Sequence, residues 1–142
     1  MRYSELLKLD FPRIPFVEGV ATFECLADLG WELIQVHLME HVPNDITVPL
    51  KGTGDGTVAK LAYHPQTKRV QINDTQYFEN ITPDVWDFRI GGYDVLDKYL
   101  KERKKAARPL TLDEIQHVPK IVNVLAWTIK KMDKIEQNFC CP

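Results

Sequence analysis

The chain has 142 residues, enough to bury a core without disulfide or metal staples, and its 44% hydrophobic and 27% charged residues are ordinary for a globular protein. A formal net charge of -2 excludes the overall basicity of a free-standing nucleic-acid binder, so any contact with phosphate must come from a local patch. Apolar runs fall short of the ~20 residues of a membrane helix, the N-terminus lacks the apolar core of a secretory signal, and three cysteines give neither a disulfide framework nor a metal knuckle. These features predict one cytoplasmic domain over residues 1–142, with no membrane partner and no cofactor.

In chain order, Ser4–Leu9 reads as the end of a helix. Asp10–Phe16 (D-F-P-R-I-P-F) must then run extended as a rigid strap, because each proline moves its predecessor out of the helical region. From Val20 to Glu40 the residues Phe23, Leu26, Ala27, Gly30, Leu33, Ile34 and Leu38 recur at three- and four-residue spacing, which predicts an amphipathic helix with one apolar face. His37 lies on or beside that face and reads as a satisfied structural histidine rather than a ligand.

Pro43–Gly56 reads as a loop. Its G-T-G-D-G run (Gly52, Gly54, Gly56) lacks the Lys-Ser/Thr of a phosphate loop and predicts flexibility. Thr57–Tyr63 and Lys68–Asn73 alternate around the turn His64–Thr67, giving a β-hairpin, and Gln76–Ile81 supplies a third strand. The fold class is therefore α+β: a small antiparallel sheet, hairpin plus third strand, packed against several helices and followed by a long C-terminal helix.

Val85–Arg108 is the most informative stretch. Trp86, Phe88 and Tyr93 surround Gly91-Gly92, where residues without a Cβ can take positive φ, and all three aromatics are expected in the core. Arg89 is expected as a buried or half-buried structural arginine bonded to backbone or carboxylate. A helix over Tyr93–Lys104 then turns Val95, Leu96, Tyr99 and Leu100 inward. Thr111 and Glu114 have capping-box spacing for the final helix. Pro119 predicts either a kink or a short helix ending near His117 with a new one behind it. Ile121, Val124, Leu125, Ile129, Met132 and Ile135 mark that helix's buried side, and Phe139–Pro142 is expected to fray.

Catalysis requires a convergent set of groups, and the sequence contains no H-E-x-x-H, G-x-S-x-G, P-loop or zinc spacing. The basic run is different. Lys98, Lys101, Arg103, Lys104, Lys105 and Arg108 are opposed within it only by Glu102, and a helix end can aim such side chains at a phosphate backbone. Lys60, Lys68 and Arg69 on the hairpin are weaker candidates, with Gln71, Asn73 and Gln76 able to bond base edges. The helix dipole alone also favours cations at a helix C-terminus, so the run has a plain structural explanation as well.

The segments L-K-L-D-F-P-R-I-P-F (7–16), V-Q-I-N-D-T-Q-Y-F (70–78), V-W-D-F-R-I-G-G-Y-D-V-L-D-K-Y-L-K-E-R-K (85–104) and L-T-L-D-E-I-Q-H (110–117) resemble the C-terminal specificity region of type ISP restriction-modification enzymes and related N6-adenine DNA methyltransferase polypeptides. In that family one polypeptide carries nuclease, motor, methyltransferase and target recognition domains, and this chain resembles the last part of the last. The methyltransferase tetrapeptide Asn/Asp-Pro-Pro-Tyr/Phe is not in the sequence. The resemblance therefore implies a non-catalytic DNA-recognition module, a fragment or separate subunit whose partners are duplex DNA and the methyltransferase and motor domains. Two departures stand out. Lys105-Ala106-Ala107 occupies the place where the family reads glycine, and Pro119 replaces an expected polar helical residue. The alternative is a truncated remnant that acts only through protein contacts, including self-association, with no DNA binding of its own.

Overall fold

The structure is a computed structural model that describes residues 17–140, with side chains as far as residue 138. The expected N-terminal helix end and strap lie outside the described residues, as does most of the expected C-terminal fraying. The chain divides into two compact units, Val42–Trp127 and a second that joins Met1–His41 to Thr128–Pro142.

The α+β class is as expected. In the second unit, α1 spans Val20–His37 and the later part of α4 (Leu112–Cys140) lies in the same unit. The expected single apolar face of α1 is a correction. Leu26, Leu29 and Leu33 are half-buried and Val36 is buried, whereas Phe23, Ala27, Ile34 and Leu38 are exposed. Apolar residues occur at helical spacing on two opposite sides, so the periodicity alone could not say which side packs. Within this unit the His37 ring bonds the Thr128 hydroxyl at 2.8 Å, in keeping with a satisfied histidine, and Lys131 pairs with Glu32.

Helix α1 ends three residues earlier than its pattern suggests, and hydrogen bonding explains why. Met39 takes φ 58°, its N–H donates to Val36 O at 3.0 Å, and the Glu40 N–H donates to Gln35 O at 3.1 Å. That pair of bonds satisfies the last carbonyls and closes the helix.

The larger unit holds a four-stranded antiparallel sheet in the order β1-β4-β3-β2, with β1 Leu50–Lys51, β2 Ala62–His64, β3 Arg69–Gln71 and β4 Tyr77–Phe78. The fourth strand, β1, comes from the segment expected to be loop. It pairs with β4 through Leu50↔Phe78 and Lys51↔Tyr77. At two residues between Pro49 and Gly52 it is too short to show alternation. The expected strand over 57–63 is mostly irregular: the Ala59 and Lys60 N–H groups both donate to Ile72 O, so two residues oppose one and the ladder is interrupted.

The inner sheet face carries Val70 and Phe78. With Val58, Ile72, Ile81 and Val85 they are fully buried, as are Leu96 and Leu100 of α3 (Val95–Lys105) and Val118, Val122 and Leu125 of α4. A single turn, α2 (Pro83–Trp86), leads into a second small sheet of β5 (Arg89–Ile90) and β6 (Tyr93–Asp94). The two-residue link Gly91-Gly92 has φ 58° and 85°, the paired positive values that a tight hairpin of natural twist requires. This hairpin takes the first two residues of the helix expected from Tyr93.

Helix α4 runs unbroken through Pro119, so of the two expected outcomes the separate helix ending near His117 does not form. The proline forfeits the bond to Ile115 O, but the Asn123 side chain donates to Pro119 O at 2.9 Å and also bonds Ile46 N–H and O, both at 2.8 Å. Among the described residues no helix is long and apolar enough to cross a membrane.

Candidate nucleic-acid interface

Helix α3 displays most of the predicted cations. Its inward side is fixed by Leu96 and Leu100, so residues 98, 101 and 105 fall on the opposite side at i, i+3 and i+7. Lys98, Lys101 and Lys105 therefore form one exposed stripe, about 10 Å long at a rise of ~1.5 Å per residue. Lys98 Nζ sits 3.7 Å from the centroid of the Tyr93 ring. Lys101 pairs with Asp97 at 2.5 Å and Lys105 with Glu102 at 2.9 Å. Asp97 raises the pKa of Lys101, and Lys105 lowers that of Glu102. Such exposed pairs are worth little and exchange readily for other anions. Lys104 is exposed beside the stripe.

Arg103 and Arg108 belong to a different structure. Both guanidiniums converge on Glu114, which is almost fully buried: Arg103 Nη1 at 2.6 Å, Arg108 Nη1 at 2.8 Å and Arg108 Nη2 at 2.9 Å. The same carboxylate accepts the Thr111 N–H at 2.9 Å, and the Thr111 hydroxyl accepts the Glu114 N–H at 3.2 Å, which completes the expected capping box. Arg108, then Thr111 and Arg103, hold the Glu114 carboxyl far below the usual carboxylate range, and the pairing raises Arg108. Arg103 also lies over Tyr99, at 5.1 Å, and Tyr99 contacts the His117 ring at 5.2 Å. Burial, with help from Lys120 and Arg103, lowers the His117 pKa. These two arginines fasten α3 to the start of α4.

The aromatic corner is partly corrected. Arg89 bonds a carboxylate as expected, Asp94 across the hairpin at 2.7 Å, but it is exposed. That contact raises Arg89 and lowers Asp94 in pKa, and it diverts Asp94 from capping α3. Tyr93 is exposed rather than in the core, while Trp86 and Phe88 are half-buried. Trp86 stacks on Tyr63 at 5.0 Å, and the Tyr63 hydroxyl donates to Ile81 O.

On the sheet, Lys68 is exposed at the hairpin turn with φ 53°. Arg69 pairs with Glu79 at 2.7 Å and lies 4.4 Å from the Tyr77 ring centroid. Arg69, Gln71, His64 and Tyr77 line an open concavity of about 340 Å³. Gln71 was expected among the base-edge candidates, whereas His64 and Tyr77 were not; the signal available for them was the outward register of β2 and β4.

Asn73 and Gln76 turn inward. Gln76 is buried and its Oε1 accepts from Gly56 N–H at 2.8 Å and Asn73 Nδ2 at 3.0 Å, while Asn73 Oδ1 accepts the Gln76 and Thr75 N–H groups. Their hydrogen-bonding capacity is used inside the turn, where it anchors the glycine run. The predicted cations thus separate into a stripe on α3, a fastening pair on Glu114, and the weaker candidates at the sheet.

A family model described as the Type ISP C-terminal specificity domain matches residues 1–134. Among solved structures the chain is similar to the ATP-dependent Type ISP restriction-modification enzyme LlaBIII bound to DNA, with TM-score 0.59 and 17% identity over 95% of this chain and 10% of that one. It is similar to a nuclease-deletion mutant of the Type ISP enzyme LlaGI in complex with a DNA substrate mimic, with TM-score 0.58 and 17% identity over 96% and 12%. The cryo-EM DrdV–DNA complex gives TM-score 0.60 and 18% identity over 99% and 16%. What is shared at these identities is the fold, and this chain spans 10% to 16% of the length of those chains. No curated protein matches the sequence. With the family model covering nearly its whole length, the chain belongs to the Type ISP C-terminal specificity domain family.

Proposed function

We propose that this chain is a non-catalytic DNA-recognition module of a restriction-modification system, and that it rests on duplex DNA through the lysine stripe of α3. Lys98, Lys101 and Lys105, with Lys104 beside them, contact the phosphate backbone; Lys68 and Arg69 make a second approach from the sheet. Arg103 and Arg108 hold the helix in place for them. The observation that carries the reading is the alignment of three exposed lysines on one side of a helix in a chain of this family. Two of the similar structures are DNA complexes and the third holds a DNA substrate mimic, which supports it. Phosphate contacts of this kind position a protein without reading sequence.

Fluorescence anisotropy of a labelled duplex, titrated across a salt series, tests the proposal. Affinity should fall as salt rises, and the combined Lys98→Ala, Lys101→Ala and Lys105→Ala variant should lower the salt slope by up to about 3, at roughly 0.9 per phosphate contact. Absence of binding at low salt, or a slope untouched by the three substitutions, would overturn it. The alternative, a domain that works through protein contacts, draws on a separate observation on α1.

A further inference from the structure

Val20, Phe23, Ala27, Trp31, Ile34 and Leu38 succeed one another along α1 at spacings of three, four, four, three and four, which places them in one straight row on one side of the helix. Every one is exposed, and the large ones strongly so: Val20 74%, Phe23 62%, Trp31 62%, Ile34 50% and Leu38 63%. Single exposed apolar residues need no explanation, but a contiguous row of five large ones marks an interaction surface. Leu26, Leu29, Leu33 and Val36, on the opposite side, are the ones withdrawn from solvent. Among the described residues of its unit, packing uses the opposite side of the helix and leaves the row exposed.

We infer that this row is the docking surface for a helix of another protein segment, apolar along one side and carrying lysine or arginine along its flank. The spacing suits a helix lying alongside, because a row that repeats every eleven residues stays on one side of a straight helix. Charge selects the flank. Helix α1 contains no lysine or arginine, and Glu24 and Asp28, one turn apart, are exposed on the flank of the row. A second copy would bring further carboxylates to the same flank, where like charges repel. Extent also argues against a free-standing dimer. An 18-residue helix is about 27 Å long and about 10 Å wide, less than the ~800 Å² per partner of a stable complex. A contact of this size becomes stable when the two segments are held in one assembly, where effective concentration does the rest.

The full chain can be tested with two fluorescein-labelled synthetic helices. Both carry leucine at the same three-four-four spacing; one has lysine flanks and the other glutamate flanks. The lysine-flanked helix should bind at least tenfold more tightly. Phe23→Ser with Ile34→Ser should abolish that binding. Glu24→Lys with Asp28→Lys, confined to exposed positions, should reverse the preference and keeps the test informative if the serine variant loses its helix by circular dichroism. Duplex DNA affinity should be the same in the charge-neutral serine variant, which separates this surface from the lysine stripe. Equal binding of both peptides, or binding of neither, overturns the inference. So does a chain that sediments as a dimer and returns to monomer on Trp31→Ser, which would assign the row to a second copy.

Discussion

Arg108 and Glu114 meet in a two-pronged ion pair, Nη1 on Oε2 at 2.8 Å and Nη2 on Oε1 at 2.9 Å, and this places an arginine of the basic run in the service of the fold. The same carboxylate also holds Arg103 and the Thr111 N–H. Glu114→Ala removes the side-chain half of the capping box and strands two guanidiniums at once. It should cost about 3 kcal/mol and lower the melting temperature by roughly 10 °C. A change below about 1 kcal/mol, measured by denaturant unfolding, would mean that the cluster is solvated and contributes little.

The pH dependence has a defined sign. Because the folded-state pKa of Glu114 is depressed below its ordinary 4.5, its contribution is present above that value and is lost as pH falls from there toward the folded-state pKa. The stability gap between the native chain and Glu114→Gln should therefore be constant at neutral pH and shrink below about pH 4.5. Chemical unfolding of both proteins at a series of pH values reads this directly. A gap that widens on acidification contradicts the assignment.

Ala107 has φ 50°, and its N–H donates to Lys104 O at 3.2 Å, so it closes α3 in the left-handed conformation that favours glycine. Ala107 is the last residue of Lys105-Ala106-Ala107, the stretch in which a glycine was expected. Ala107→Gly should stabilise the protein by about 1 kcal/mol, since relief of the left-handed strain exceeds the extra freedom gained by the unfolded chain. Destabilisation would show that the position is not strained.

Gly52 is a second glycine with a structural duty. Its φ is 93°, and a Cβ there would stand 1.9 Å from Thr75 O. The run G-T-G-D-G is thus pressed against the Thr75-Gln76 turn instead of being the flexible loop it resembles. Gly52→Ala should cost more than about 3 kcal/mol, because backbone strain and a backbone clash add. Hydrogen exchange should find the Gly56 amide, bonded to buried Gln76, protected in the native chain and exposed in the variant.

How much of this was legible in the sequence depends on how local each cause is. The capping box of Thr111 and Glu114, the positive φ at Gly91-Gly92 and the hairpin around residues 65–68 rest on neighbouring residues, and all are found. The α+β class follows from the succession of such elements. Strand β1 was hidden because two residues cannot alternate, and the side on which α1 packs was hidden because the helix is apolar on two sides. That α4 continues through Pro119 was not legible in the proline itself, and Asn123, four residues on, bonds Ile46, 77 residues away. For the candidate interface, sequence revealed which residues are basic but not which are spoken for. Arg103 finds Glu114 and Gln76 finds Gly56 only through the folded chain.

Selection from a randomised duplex DNA pool on the immobilised full chain, followed by sequencing, tests the central claim most directly. The account predicts convergence on a short defined motif, with the Lys98→Ala, Lys101→Ala and Lys105→Ala variant retaining less DNA but enriching the same motif, as expected when phosphate contacts position and other contacts specify. Retention no greater than on protein-free beads, or retention without any enriched motif, would contradict it.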